Sequence, residues 1–140
     1  SFLLVDAAAM ETAPTRRLIE DLTERLKALG GTFEYDAKRE RLEELNHELG
    51  DPAIWNTPDK AQALGRERSR LESTITELEQ LGAGLSDAAE LLAIVEAEND
   101  EAGFAEIVKD TGRLEQRVRK LELSRMFPGE MDPRGAFLDI

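Results

Sequence analysis

Apolar residues recur every three or four positions along most of the chain, which is the spacing of helices that bury one face. A first helix is predicted at residues 15–29, after Pro14 and before two glycines. A second is predicted at residues 36–49, where Asp36 is expected to cap the N-terminus and Gly50 to end the helix. Their buried stripes are leucines: Leu18, Leu22, Leu26 and Leu29 in the first helix, and Leu42, Leu45 and Leu49 in the second.

The third predicted helix carries a heptad repeat of leucine, the repeat by which helices pack along a continuous seam. Ile75 and Ala89 are expected to fill the second apolar position of this heptad. Because the leucine phase is unchanged across Gly82 and Gly84, we predict one helix over residues 58–97, weakened near its middle; a short interruption near Gly82 is the alternative. The residues of the repeat are Leu64, Leu71, Leu78, Leu85 and Leu92.

A fourth helix is predicted after Asn99 and Asp100, which can cap its N-terminus. Its apolar stripe has the spacing of the third helix and few residues separate the two, so we expect an antiparallel hairpin. The stripe consists of Phe104, Ile107, Thr111, Leu114, Val118 and Leu121. The predicted fold is all-α: an elongated antiparallel helical hairpin or bundle of three to four helices, with a short strand-like tail at the C-terminal end.

Trp55 is the only tryptophan, and it lies between the second and third predicted helices. Pro52 prevents the second helix from continuing, and Thr57 followed by Pro58 is a typical start for the third. We expect Trp55 to be an apolar plug that holds the second helix on the third; contact with a partner is the alternative.

The two ends of the chain differ from the helical region. Residues 1–11 are interpreted as a leader or a disordered N-terminus, because Met10 could be a natural start. Residues 12–127 form the predicted helical domain. Residues 128–140 contain proline turns and a strand-like pattern with nothing to pair with, and they are predicted to be a linker and the first strand of a following domain.

The composition excludes several kinds of site. The chain has no Cys and a single His, His47, which excludes disulfides, a cysteine nucleophile and multi-histidine metal sites. Carboxylate pairs among 30 acidic residues carry no information on acid/base catalysis, since such residues mostly lie on solvated faces. We expect no catalytic residue, cofactor or metal, and a structural role for His47. With neither a membrane span nor a secretory signal in the pattern, we expect a cytoplasmic location.

Acidic residues outnumber basic ones by 30 to 18, and they concentrate around the turn before the fourth helix. Seven acids and no base lie within residues 86–106, whereas five bases and two acids lie within residues 113–125. The basic stretch either meets phosphates or neutralises its acidic neighbours, but a net charge of −12 argues against tight nucleic-acid binding by this chain alone. The acidic turn suits a basic protein surface, and the candidate contact residues are Glu96, Glu98, Asp100 and Glu101.

Several ordered blocks of sequence are familiar: YDAKRERLEELN at 35–46, DPAIWNTP at 51–58, AQALGRERSRLE at 61–72, LELSRMF at 121–127, and FLDI at 137–140. Together they resemble the N-terminal region of bacterial class I peptide chain release factors, and the first two blocks resemble type 2 factors more than type 1. The resemblance covers residues 18–140. It rests on many blocks in register rather than on one chemical signature.

The resemblance implies a role in translation termination at UGA and UAA codons. In this family a Ser-Pro-Phe loop reads the codon and a Gly-Gly-Gln loop promotes hydrolysis of peptidyl-tRNA, and neither tripeptide occurs in the 140 residues. The resemblance therefore implies the factor's helical first domain, which neither reads codons nor cleaves esters by itself. The partners it implies are the ribosome at the stalk base of the large subunit, the GTPase release factor 3, and the rest of the same factor, with no membrane contact.

Two other hypotheses remain open from the sequence. The chain could be an autonomous acidic coiled-coil adaptor unrelated to translation. It could also be a tRNA-gripping helical arm, but such an arm should be basic along its length. The heptad stripe could close within one chain or onto a second copy, so the sequence leaves the oligomeric state undetermined.

Overall fold

A computed structural model describes residues 10–126, apart from the side chains of residues 32 and 33. This part of the chain is helical, which confirms the all-α prediction. The helices are α1 (Ala13–Leu29), α2 (Thr32–Gly50), α3 (Pro58–Glu98) and α4 (Glu101–Met126), with a 3-10 turn at Pro52–Asn56. The predicted strand-like tail and linker, and residues 1–9 of the predicted leader, lie outside the described residues.

The chain divides into two compact units. Among the described residues, unit 1 comprises residues 10–29 and 81–126, and unit 2 comprises Gly30–Gln80. The boundary falls within α3, which is a single helix across Gly82 and Gly84 as predicted. The leucine phase was therefore a reliable indicator of continuity, in spite of two residues that weaken helices.

Unit 1 is a bundle of α1, residues 81–98 of α3, and α4. Leu114 of α4 packs beside Gly84, and Val95 lies beside Gly103, so α3 and α4 form the predicted antiparallel hairpin. Leu26, near the C-terminal end of α1, packs beside Gly82, while the other end of α1 contacts the end of α3. The core consists of Ile19, Leu22, Leu81, Leu85, Ala88, Leu92, Val95, Phe104, Ile107, Leu114 and Val118. Met10, from the segment predicted to be a leader, also packs against this core.

Unit 2 pairs α2 with the first part of α3. Arg41 near the middle of α2 contacts Glu67, and Tyr35 near its start contacts Glu79, which makes the two helices antiparallel. The buried apolar side chains of this unit are Leu45, Ile54, Ala61, Ile75 and Leu78. Among the described residues, unit 2 therefore has a smaller apolar core than unit 1.

The leucines at the first heptad position of α3 were predicted to be buried, and the structure confirms this for three of the five. Leu78, Leu85 and Leu92 are buried, whereas Leu64 and Leu71 are half-buried. For the second position, Ile75 is buried as predicted, but the prediction for Ala89 is wrong because its side chain is exposed. In unit 1 the buried positions lie three residues after each leucine rather than four, because α3 packs there against α1 and α4 and not against α2. These residues are Leu81, Ala88 and Val95.

Both predicted ends of the second helix need correction. The helix begins at Thr32, so Asp36 lies one turn inside it and is not the N-cap. Gly50 is the last helical residue rather than the residue that stops the helix. Asp51 follows in extended backbone, as expected before a proline, and its carboxylate accepts a hydrogen bond from the N–H of Ala53 at 3.0 Å. A left-handed glycine is therefore not required here.

The prediction that Trp55 is an apolar plug is wrong, since 68% of its surface is exposed. The neighbouring Ile54 takes the buried position, with 9% exposed. The Ile54 N–H donates to the Asp51 carbonyl, and the Thr57 N–H donates to the Ile54 carbonyl, which fixes the phase of the 3-10 turn. Because successive side chains of such a turn point about 120° apart, burying Ile54 directs Trp55 to solvent.

Candidate functional site

The acidic turn between α3 and α4, residues 96–101, is the candidate site and is called the tip below. Asn99 adopts the left-handed conformation with φ of 54°, and the N–H of Asp100 donates to the Val95 carbonyl at 2.9 Å. The N–H of Asn99 donates to the Glu96 carbonyl at 3.2 Å. This pair of hydrogen bonds is the Schellman arrangement, which satisfies the last carbonyls of α3 within a two-residue turn.

Asp100 is the N-cap of α4. Its Oδ1 accepts a hydrogen bond from the Gly103 N–H at 2.9 Å, and its carbonyl accepts one from the Phe104 N–H at 3.0 Å. A Cβ at Gly103 would lie 2.8 Å from Val95 Cγ1 and 2.5 Å from Asp100 Oδ2. Glycine is therefore needed at 103 for the helices to meet this closely, and the tip is held by backbone and cap together.

Glu96 is half-buried and joins the tip to α1. Its Oε2 accepts a hydrogen bond from Thr12 Oγ1 at 2.7 Å, and its Oε1 pairs with the Arg16 guanidinium. Because both oxygens already have partners within unit 1, this carboxylate acts mainly as an internal tie. The proposed partner-contact role of Glu96 has to compete with that function.

Glu98 and Glu101 are the other two carboxylates of the predicted set. Both are exposed, and neither forms the helix cap made by Asp100 or the contact with α1 made by Glu96. The C-terminal end of the α3 dipole adds negative potential at Glu98, whereas Glu101 lies favourably at the N-terminus of α4. The structure thus places all four predicted residues in one turn. Glu96 and Asp100 hold the turn together, whereas Glu98 and Glu101 face solvent. What the turn can offer a ligand is negative charge on a rigid frame.

The basic stretch of α4 makes ion pairs within its own unit. Arg113 pairs with Asp110 at 2.6 Å, and Arg119 pairs with Glu115 at 3.8 Å. Arg125 donates to the carbonyl of Leu29. These contacts favour the interpretation that the stretch neutralises acidic neighbours over the one in which it meets phosphates.

Two bidentate Arg–Glu pairs were not visible in the sequence, because their partners are far apart along the chain. In unit 1 the Arg25 guanidinium donates to both Glu122 oxygens at 2.9 and 2.6 Å. In unit 2 Arg41 donates to both Glu67 oxygens at 2.8 and 3.0 Å. Each hydrogen-bonded guanidinium lowers the pKa of its glutamate, and each carboxylate raises the pKa of its arginine.

Within residues 10–126 there is no group of three or more His, Cys, Asp and Glu side chains arranged to hold a metal ion. His47 is exposed in the last turn of α2. No helix of this described region is long and apolar enough to cross a membrane.

Comparison with known proteins finds a family model and curated relatives that match the chain. A family model described as the PCRF domain matches residues 38–140. The peptide chain release factor 2 of Xanthomonas euvesicatoria pv. vesicatoria (strain 85-10) is 47% identical over 131 residues, which cover 94% of this chain and 35% of that protein. The chain thus spans about a third of the length of this curated relative.

Proposed function

Since the chain belongs to the PCRF domain family, we propose that it forms part of a peptide chain release factor and contacts the ribosome during translation termination. The observation that carries this proposal is the 47% identity to a release factor 2 along 94% of the chain. Identity at this level over nearly the whole chain makes a shared fold and a shared partner the simplest explanation.

In this proposal the longer factor acts at UGA and UAA codons, and this chain supplies contacts rather than chemistry. Codon reading and hydrolysis of the peptidyl-tRNA ester belong to segments beyond the 140 residues, because neither Ser-Pro-Phe nor Gly-Gly-Gln occurs in them. The described side chains offer ion pairs and apolar cores without a candidate nucleophile–base pair. The chain alone is therefore not expected to release a peptide.

The tip is the part of the chain that we propose meets the ribosome, at a basic protein surface near the stalk base of the large subunit, or meets the GTPase release factor 3. Glu98 and Glu101 project into solvent, while Asp100 and Glu96 hold the turn in place. Because the acidic turn is already rigid, it loses little conformational entropy when it binds a partner. It also attracts a cationic partner from a distance, which raises the association rate.

Reversing the two solvent-facing charges tests this role. We expect the Glu98→Lys/Glu101→Lys variant of the longer factor to associate with stop-codon ribosomes about tenfold more slowly at low salt, and to respond less to the GTPase. Association is measured by stopped-flow fluorescence, and the release rate is measured with a labelled nascent peptide. Glu96 is left unchanged, because its substitution would also break the tie to Thr12 and Arg16.

The matched control is Glu40→Lys/Glu43→Lys, which changes the net charge equally on the exposed face of α2. The control should retain the association rate of the unmodified factor at equal ionic strength. Equal association rates for the tip variant and the unmodified factor, with an unchanged response to the GTPase, would remove the tip from the proposal.

A further inference from the structure

The first turn of α1 is attached to the last turn of α3 by two side chains. Thr12 is buried, and its carbonyl accepts a hydrogen bond from the Arg16 N–H at 2.9 Å, so it is the N-cap residue of α1. The Thr12 hydroxyl donates to Glu96 Oε2 at 2.7 Å, and the Arg16 guanidinium pairs with Glu96 Oε1. The start of α1 therefore binds both oxygens of one carboxylate next to the tip.

The position of Glu96 on α3 makes this attachment important. Glu96 lies in the last turn of α3, where the helix dipole disfavours a negative charge. The N-terminus of α1 favours a negative charge, and it supplies a hydroxyl donor and a cation as well. The start of α1 therefore stabilises, in one orientation, a carboxylate that the end of α3 alone would destabilise.

The backbone of Glu96 is also part of the turn. Its carbonyl accepts a hydrogen bond from the Asn99 N–H at 3.2 Å, and the neighbouring Val95 carbonyl accepts one from the Asp100 N–H at 2.9 Å. The α4 side of the turn is fixed by the Asp100 cap, whereas the α3 side is fixed through Glu96. Glu98 lies between these two fixed points. Its orientation therefore depends on how firmly Glu96 is held.

We propose that Thr12 and Arg16 are positioning residues for the tip. Acting through Glu96, they hold the end of α3 in the conformation that presents Glu98 to a partner. Because Arg16 also neutralises Glu96, the negative charge offered to the partner lies on Glu98 and Glu101. The inference rests on the proposed function in so far as the tip makes contact, and it assigns to the start of α1 a part in that contact without touching the partner.

Amide hydrogen exchange, measured by NMR on the 140-residue chain, tests the positioning directly. Thr12→Val removes the hydroxyl and keeps the shape of the side chain, and Arg16→Gln removes the charge. In each variant the amides of Asn99 and Asp100 should exchange about tenfold faster, because opening the turn then costs less free energy. The amide of Leu114, in the middle of α4, should exchange at its unmodified rate.

Two matched variants serve as controls. Thr12→Ser retains the hydroxyl and should retain slow exchange at the tip. Arg17→Gln removes the same charge as Arg16→Gln from the neighbouring exposed residue, and it should leave exchange at the tip unchanged. Circular dichroism of each variant checks that its helices are intact.

Salt dependence provides a readout that a purely steric role would not affect. The Arg16 and Glu96 side chains are 44% and 32% exposed, so dissolved ions partly screen their pair. Raising the salt concentration should therefore speed exchange of the Asn99 and Asp100 amides in the unmodified chain. The same change should have less effect in Arg16→Gln, which has no ion pair left to screen.

The longer factor links the positioning to binding. Thr12→Val is the variant to use, because it leaves the net charge unchanged. We expect it to associate with stop-codon ribosomes about threefold more slowly, since a less ordered tip loses more conformational entropy on binding. Stopped-flow fluorescence measures the rate, with Thr12→Ser as the control.

Three results would overturn the inference. The first is unchanged exchange of the Asn99 and Asp100 amides in Thr12→Val and Arg16→Gln. The second is equal acceleration at Leu114, which would indicate a general loss of stability. The third is faster exchange at the tip with normal association of Thr12→Val.

The third result counts against the inference only in a factor that Glu98→Lys/Glu101→Lys does slow. If that double variant also associates normally, the proposed contact at the tip fails instead. Faster exchange in Thr12→Val would then still support the positioning of the turn by α1.

Discussion

Among single residues, two arginines at the helix interfaces make bidentate contacts with a glutamate of another helix. Arg25 and Arg41 each bind one glutamate through two nitrogens, so each pair fixes both the distance and the rotation of two helices. Arg25 also pairs with Asp21 at 3.2 Å in its own helix. Since the Arg25 and Glu122 side chains are only 28% and 29% exposed, their pair is less screened by solvent than the surface pairs.

Glu122→Gln should therefore lower the free energy of unfolding by about 1 kcal/mol at neutral pH. The Arg25 guanidinium holds the pKa of Glu122 below its ordinary value of 4.5. A carboxylate with a lowered native pKa stabilises the fold above its ordinary pKa, and this contribution is lost as the pH falls through the lowered value. The difference between variant and unmodified chain should thus be full at pH 7 and shrink below about pH 4.5.

Urea unfolding followed by circular dichroism across this pH range measures the difference. Glu24→Gln is the control, because Glu24 and its partner Lys27 are 72% and 69% exposed at 3.2 Å and such pairs contribute little. A difference for Glu122→Gln that stays constant down to strongly acidic pH would show that the ion pair is not its source.

Trp55 gives a second prediction at this scale. As the only tryptophan, and one that is 68% exposed, it should show the fluorescence emission of a solvated indole in the folded chain. Trp55→Phe should change the free energy of unfolding by less than about 0.5 kcal/mol, whereas Ile54→Ala should lower it by about 2 kcal/mol or more. A blue-shifted emission, or a large loss of stability in Trp55→Phe, would restore the interpretation of Trp55 as a plug.

At the scale of elements, α3 continues through two glycines that have different surroundings. A Cβ at Gly82 would lie 3.9 Å from the nearest Leu26 atom, but a Cβ at Gly84 would lie 2.9 Å from Leu114 Cδ2. Gly82→Ala should therefore raise the free energy of unfolding by up to about 1 kcal/mol through helix propensity. Gly84→Ala should lower it, because displacing the buried Leu114 side chain costs about 1–3 kcal/mol.

The two alanine variants are matched, since they add one methyl group two residues apart in the same helix. Thermal unfolding followed by circular dichroism should show a higher melting temperature for Gly82→Ala and a lower one for Gly84→Ala. Equal shifts of the same sign would mean that the close approach of α3 and α4 at Gly84 does not limit the packing.

The elements themselves were largely predictable, and the reasons are local. The apolar residues at spacings of three, four and seven located all four helices, and Asn99 with Asp100 located the hairpin turn. The predicted burial of Ala89 and Trp55 was wrong, because the burial of each side chain depends on which helix packs nearby. The periodicity of the sequence does not specify that neighbour. The tie of Glu96 to Thr12 was not predictable for the same reason, since 84 positions separate them along the chain.

At the scale of the whole molecule, the described helices form two units, and each provides a different kind of surface. Unit 1 carries the acidic tip at the turn of its α3–α4 hairpin. Unit 2 exposes Trp55 at the turn between its helices. The family and the four residues of the tip could be proposed from the sequence, but only the structure distinguishes Glu98 and Glu101 from the structural Glu96 and Asp100.

We propose that this chain makes ribosome contacts through its tip and performs no chemistry itself. One peptide-release assay on stop-codon ribosomes tests it, with the purified chain added alone and then as a competitor of a complete release factor 2. We expect no release by the chain alone and slower release in competition, with the slowing lost in Glu98→Lys/Glu101→Lys. Release of the nascent peptide by the chain alone, or competition that is equally strong in that variant, would contradict the account.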